Sequence, residues 1–173
     1  LLVPRPRLHQ AAVSLFLRTG SRYETEADNG LSHFLEHMLF RGSGKLGSAH
    51  EVALAFERLG ESLYAATATD HGLMSIGLPP ETLIRAIHLL GEVVRRPVFS
   101  AIEVERRIVH EEILEDLDDD GRDIDADNLT RALLFGEHPL GRPITGPPQH
   151  LDSFDVPRLR AHLKRHYTAN NAV

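Results

Sequence analysis

The sequence predicts an α+β fold: an antiparallel sheet with helices packed on one face. Three observations carry this. Residues 11 to 19 alternate, with Val13, Leu15 and Leu17 on one side at period two, the pattern of a half-buried strand. Two further strands, about 63 to 69 and 72 to 78, flank Asp70-His71-Gly72 as a hairpin. In the remaining long segments the apolar residues recur at helical spacing.

Taken in order, the polar stretch from Gly20 to Asn29 is turn-like, and Asp28 or Asn29 is placed to cap the helix that follows, about 30 to 40. Arg41 to Gly47 is rich in glycine and contains a lysine, but its spacing does not fit a phosphate loop, so it reads as a flexible turn. Ser48-Ala49-His50-Glu51 has the form of a capping box and opens a helix through Ala53, Leu54, Phe56 and Leu59 that Gly60 ends. Pro79-Pro80 stops the last strand of the hairpin. Leu83, Ile84, Ile87, Leu90, Val93 and Val94 then mark a helix from Glu81 to Arg95, closed by Pro97. Ser100-Ala101-Ile102-Glu103 reads as a second capping box, starting a helix to about Asp118. The acidic run 118 to 123 fits a solvated helix end, and it lacks the order of a calcium loop. A helix over 124 to 135, a Pro/Gly-rich connection over 136 to 143 and a helix over 156 to 166 with Pro157 in its first turn complete the chain.

The most specific stretch is Gly30-Leu31-Ser32-His33-Phe34-Leu35-Glu36-His37-Met38-Leu39-Phe40. At ~100° per residue, His33 and His37 stand one turn apart on one side of the helix, with Glu36 close by. Two imidazoles at i and i+4 suit zinc, and a carboxylate beside them that does not bind the metal can take a proton from a water activated there. The helix is apolar almost all round, as a buried helix is, so its polar groups need partners. With 11 His in 173 residues, the pattern His-x-x-Glu-His also has a compositional explanation. Further along, Glu105 and Glu112 are seven residues apart and share a helix face at the edge of an apolar stripe, whereas Glu111 and Glu115 point to water. Such carboxylates have two readings, a salt bridge to arginine or a metal ligand. His162 and His166 form another i, i+4 pair, but with basic neighbours and no acid beside them they read as surface histidines.

Composition removes several classes of function. The absence of cysteine excludes disulfides, thiolate metal sites and a Cys nucleophile, so any zinc must use His and carboxylate. A net charge of -6 disfavours general nucleic-acid binding, and the cluster Arg158, Arg160, Lys164 and Arg165 reads as a solvated helix face. No apolar run approaches the ~18 residues of a membrane span, and residues 1 to 7 lack the order of a secretory signal. We expect a single domain over 1–173. Leu1 is not an initiator methionine, and apolar residues resume just before Val173, so a piece of a longer polypeptide, truncated at its C-terminal end, is expected.

These residues resemble a known family. His33-Phe34-Leu35-Glu36-His37 is similar to the inverted zinc motif of the pitrilysin and mitochondrial processing peptidase family, the inverzincins. Gly20 to Glu24 before the motif, Met38 to Gly42 after it, Glu105 to Ile113, and Phe135 to Pro143 resemble family segments in the same order, and together these cover nearly the whole chain. The resemblance implies a processing-peptidase-like half with one zinc ion (Zn2+), held by His33, His37 and Glu112. Glu112 stands 75 residues past His37, where the family has its third ligand. Glu36 would then be the general base, and Glu105 falls where the family has a second acidic residue supporting the catalytic shell.

On this resemblance the protein is a zinc metalloendopeptidase that hydrolyses extended peptides or unfolded protein. A second, homologous half, in the same chain or in a partner subunit, contributes an Arg and a Tyr to the cleft. Acidic residues between 118 and 127 would favour basic substrate residues if they face the cleft. In one departure, Tyr64 stands where the family usually has an Asn that could hold a peptide carbonyl, which leaves substrate preference open. Two alternatives remain: a non-catalytic member acting as a partner or scaffold subunit, and a structural zinc site in a binding module. Neither the compartment nor the substrate sequence is legible in these residues.

Overall fold

Period-two alternation in the sequence becomes a three-stranded antiparallel sheet of order β1-β3-β2, formed by β1 (Ala11–Leu17), β2 (Tyr64–Thr67) and β3 (Gly72–Leu78). The computed structural model describes residues 1–173. Register sets Val13 opposite Ile76, Leu15 opposite Met74, and Ala65 opposite Met74, so these side chains share one face. On the other face Ser14 and Ser75 meet, their hydroxyls 2.8 Å apart. The covered face carries the core: Met74, Ile76 and Leu78 lie beneath Phe34, Leu35, Met38 and Leu39 of α1 (Leu31–Leu39) and beneath Ala86, Leu90 and Val93 of α3 (Leu83–Arg95). The observed class is the predicted one. β2 is shorter than the segment 63 to 69, because only Tyr64 to Thr67 find partners on β3.

Around this layer pack α2 (Ala49–Glu57), α4 (Ile102–Glu115), α5 (Ala126–Phe135) and α6 (Val156–His166), joined by short 3-10 turns. The α2 cap forms as its sequence suggests, with Ser48 Oγ accepting from the Glu51 amide at 3.2 Å. Two other expected caps do not form. α1 is capped by neither Asp28 nor Asn29: Gly30 adopts a left-handed φ of 96°, and the Glu24 carboxylate, arriving from the preceding loop, accepts from the Gly30 amide at 2.9 Å and the Ser32 amide at 2.6 Å. A side chain at Gly30 would collide with the Thr145 carbonyl, so this close approach requires glycine. At α4 the residue before the helix is Ala101 in a left-handed conformation, and Ser100 donates instead to the Arg41 carbonyl at 3.0 Å. α5 begins at Ala126, two residues later than expected, because the Asp125 side chain caps it at the Asn128 amide.

α4 lies against α1, burying Glu105, Val109 and Ile113 on the face toward it. That packing sets the spacing of the site. α6 packs on the N-terminal end of α1, and residues Asn171 and Val173 hydrogen-bond to the free edge of β1. No helix is long and apolar enough to cross a membrane.

Candidate active site

His33 and His37 leave α1 on one side, one turn apart, with ring centroids 4.7 Å from each other. Glu112 reaches them from α4. Its Oε1 lies 3.3 Å from His33 Nε2 and its Oε2 lies 3.4 Å from His37 Nε2. One ligand atom from each of the three residues falls within 4.8 Å of the others. Nitrogen and oxygen on adjacent corners of a tetrahedron around zinc, each ~2.0–2.1 Å from the metal, are about 3.3 Å apart. Each imidazole lies at about that separation from one of the two Glu112 oxygens, and the donor set of two imidazole nitrogens and a carboxylate fits zinc. Three protein donors, where a structural site has four, would leave a position for water or substrate on a bound ion. Hydrogen bonds from His33 and then His37 hold the Glu112 carboxyl well below the usual carboxylate range, so it is ionised at neutral pH, as a metal ligand must be.

The other two residues singled out by the sequence flank this cluster. Glu36 lies on the same side of α1 and is half-buried, and its Oε2 accepts a 2.5 Å hydrogen bond from the Thr67 hydroxyl on β2. Glu105 is 1% exposed, and its Oε2 lies 3.1 Å from His37 Nδ1, behind the ring. Its Oε1 is paired with the Arg41 guanidinium. Glu111, as expected, points to solvent.

Two cavities open on either side of Glu36. One, of about 370 Å³, is lined chiefly by Phe40, Val52, Phe56 and Leu63, with His37 and Arg41 at its polar end. The other, of about 330 Å³, is bounded by His33, Glu112, Ala66 and Thr67 and carries Asp116, Asp125 and Asp127 on its wall. Burial, with Asp125 and Asp123 nearby, raises the Asp116 pKa. The acidic run is thus divided: Asp119 and Asp120 stay in an exposed turn, where the Asp118 carboxylate accepts from the Asp120 and Arg122 amides, while Asp125 and Asp127 face the cluster. β2, whose Ala66 and Thr67 line the same cavity, hydrogen-bonds to β3 alone and leaves its outer edge open.

Residues 1–148 match the profile of the family described as insulinase (peptidase family M16). The chain belongs to this family. Over its full length this M16 domain is 35% identical to the uncharacterized zinc protease YmxG of Bacillus subtilis, of which it covers 42%. It is 31% identical, over 97% of its residues, to the beta subunit of the mitochondrial-processing peptidase of Blastocladiella emersonii, covering 36% of that protein. Its fold matches a peptidase M16 inactive domain from Pseudomonas fluorescens with a TM-score of 0.86 at 22% identity, over 99% of this chain and 42% of that one. The M16 domain therefore spans about two fifths of the length of these relatives.

The second histidine pair of the M16 domain is not on the surface, as its basic neighbours suggested. His162 and His166 are buried, and His162 Nε2 lies 3.0 Å from Ser32 Oγ, directly behind the motif helix. No third ligand joins them. The signal was present: His162 and His166 fall on the same helical face as Leu159, which is fully buried. Burial drives the His162 pKa down to about 3. Arg158 is likewise not a free cation, since it donates to the Asp28 carboxylate at 2.5 Å and to the Ala27 carbonyl at 3.0 Å. Sequence reasoning also passed over Glu24, Arg41 and Thr67. Glu24 and Arg41 lie in the flanking segments that resemble the family, which was a usable signal. Thr67 carried none, because its partner is 31 residues earlier and on another element.

Proposed function

We propose that this M16 domain, residues 1–173, is the catalytic half of a zinc metalloendopeptidase. In this reading His33, His37 and Glu112 hold one zinc ion, Glu36 is the general base and Glu105 orients His37. The convergence of two imidazole nitrogens and the Glu112 carboxylate beside a second carboxylate, Glu36, is the observation that carries it. Bound there, zinc supplies Lewis acidity, polarising a peptide carbonyl and making a water molecule acidic enough to lose its proton near neutral pH. Glu36 would take a proton from the attacking water and return it to the departing amine. Thr67 occupies one Glu36 oxygen and so leaves the other for the proton. The open edge of β2 can receive an extended peptide by backbone hydrogen bonding, which favours unfolded segments over folded proteins.

The relatives are more than twice as long as this chain, and one is named as a subunit, so the proposal includes a second homologous half, in the same polypeptide or in a partner, to close the cleft. The test uses the protein together with that half. One zinc per catalytic domain and hydrolysis of a quenched fluorogenic peptide are expected. Glu36→Gln should keep the zinc and lose about 10²–10⁴-fold in kcat. Zinc bound with no hydrolysis of any unfolded peptide would instead assign the domain to a non-catalytic partner or scaffold subunit. A wild-type protein without zinc would defeat the proposal outright.

A further inference from the structure

Behind His37 lies a three-residue chain, His37, Glu105 and Arg41, whose last member the proposed chemistry leaves without a role. We infer that Arg41 is a positioning residue for the metal site, acting through Glu105 on His37. The inference rests on the zinc reading given above.

His37 and Arg41 are at i and i+4, so both face the same point on α4, where Glu105 is almost completely buried. One Glu105 oxygen meets His37 Nδ1 at 3.1 Å and the other meets the Arg41 guanidinium. A buried carboxylate without a cation is strongly destabilising, and Arg41 is the only Lys or Arg in an ion pair with it. Arg41 is itself tethered at both ends of its peptide unit: its amide donates to the Met38 carbonyl at 3.3 Å, and its carbonyl accepts from Ser100 Oγ at 3.0 Å. The guanidinium on Oε1 favours the carboxylate orientation in which Oε2 meets the imidazole. With Glu105 accepting the Nδ1 proton of His37, Nε2 is the nitrogen that would present its lone pair to a metal held beside His33 and Glu112. The side chain that settles which nitrogen of His37 faces the metal thus lies one helical turn away and does not touch the metal.

The test is a double-mutant cycle read as zinc affinity, by competition with a chromophoric chelator on the full chain. Arg41→Met and Glu105→Gln should each weaken zinc binding by about 10–100-fold. The double variant should bind no more weakly than Glu105→Gln alone, because Arg41 has no route to the metal once the carboxylate is gone. Arg41→Lys, which restores a cation at the same place, should recover most of the affinity. Where Arg41→Met does not fold, Arg41→Gln takes its place in the cycle. Additive losses, or wild-type affinity in the Arg41 variant of a chain that binds zinc, would overturn this inference while leaving the metal site intact. A wild-type chain that binds no zinc overturns both.

Discussion

Replacing Glu24 by Ala removes the acceptor that closes the first turn of α1, the helix carrying His33, Glu36 and His37. The Glu24 carboxylate accepts from the Gly30 amide at 2.9 Å, from the Ser32 amide at 2.6 Å and from the Asn29 side chain at 3.2 Å, and it is itself buried. Asn29 keeps a second partner, the Pro143 carbonyl at 2.9 Å, so the loss falls on the two backbone donors. Leaving a buried donor unsatisfied costs ~1–3 kcal/mol, and the helix end also loses a negative charge worth ~0.3–1 kcal/mol. The Glu24→Ala variant should therefore lose about 2–7 kcal/mol, a large share of the ~5–15 kcal/mol that holds a domain folded. Glu24→Gln retains one carbonyl acceptor and the volume, and should lose about half as much. Urea denaturation measures both, with the midpoint falling at constant slope. A loss below about 1 kcal/mol in Glu24→Ala would refute the assignment of Glu24 as the cap of α1.

Other outcomes follow from single contacts. Thr67→Val removes the 2.5 Å hydrogen bond to Glu36 while preserving shape. A hydrogen bond to a charged group is worth ~1.5–3 kcal/mol, so kcat for a fluorogenic peptide should fall about 10–100-fold. KM and zinc content should be unchanged, and Thr67→Ser should retain activity. His162 gives the domain an acid sensitivity of its own. Its folded pKa, about 3, lies below that of the unfolded chain, ~6.5, so the unfolded state binds the extra proton. Stability is fully present above ~6.5 and falls as the pH drops toward 3, by about 2 kcal/mol between pH 7 and pH 5. His166, also lowered by burial, acts in the same direction. Urea midpoints of His162→Gln should depend less steeply on pH across this window than those of the wild type.

Where local chemistry determines the structure, the residues announce it. Val13, Leu15 and Leu17 alternate because one face of β1 is covered, and the hairpin at Asp70 to Gly72 joins two strands that pair with each other. The face shared by Glu105 and Glu112 is a property of helix periodicity, and α4 presents both toward α1. Long-range competition accounts for the differences. Ser100 had the form of an N-cap, but the Arg41 carbonyl, 59 residues away in sequence, takes its hydroxyl. Asp28 stood at a plausible cap position, yet Arg158 of α6 engages its carboxylate, and Glu24 takes its place at the helix end. His162 carried the polar flanks of a surface residue, but the hydroxyls of Ser32 and Thr19 give its imidazole partners inside. In each case the deciding partner lies on an element that no local window contains.

Whether one metal sits between His33, His37 and Glu112 is decided by stoichiometric zinc titration of the wild type beside Glu112→Ala. One zinc per wild-type domain is expected, with loss of that stoichiometric binding once the single ligand from α4 is removed. Undiminished binding in Glu112→Ala, or none in the wild type, would contradict it.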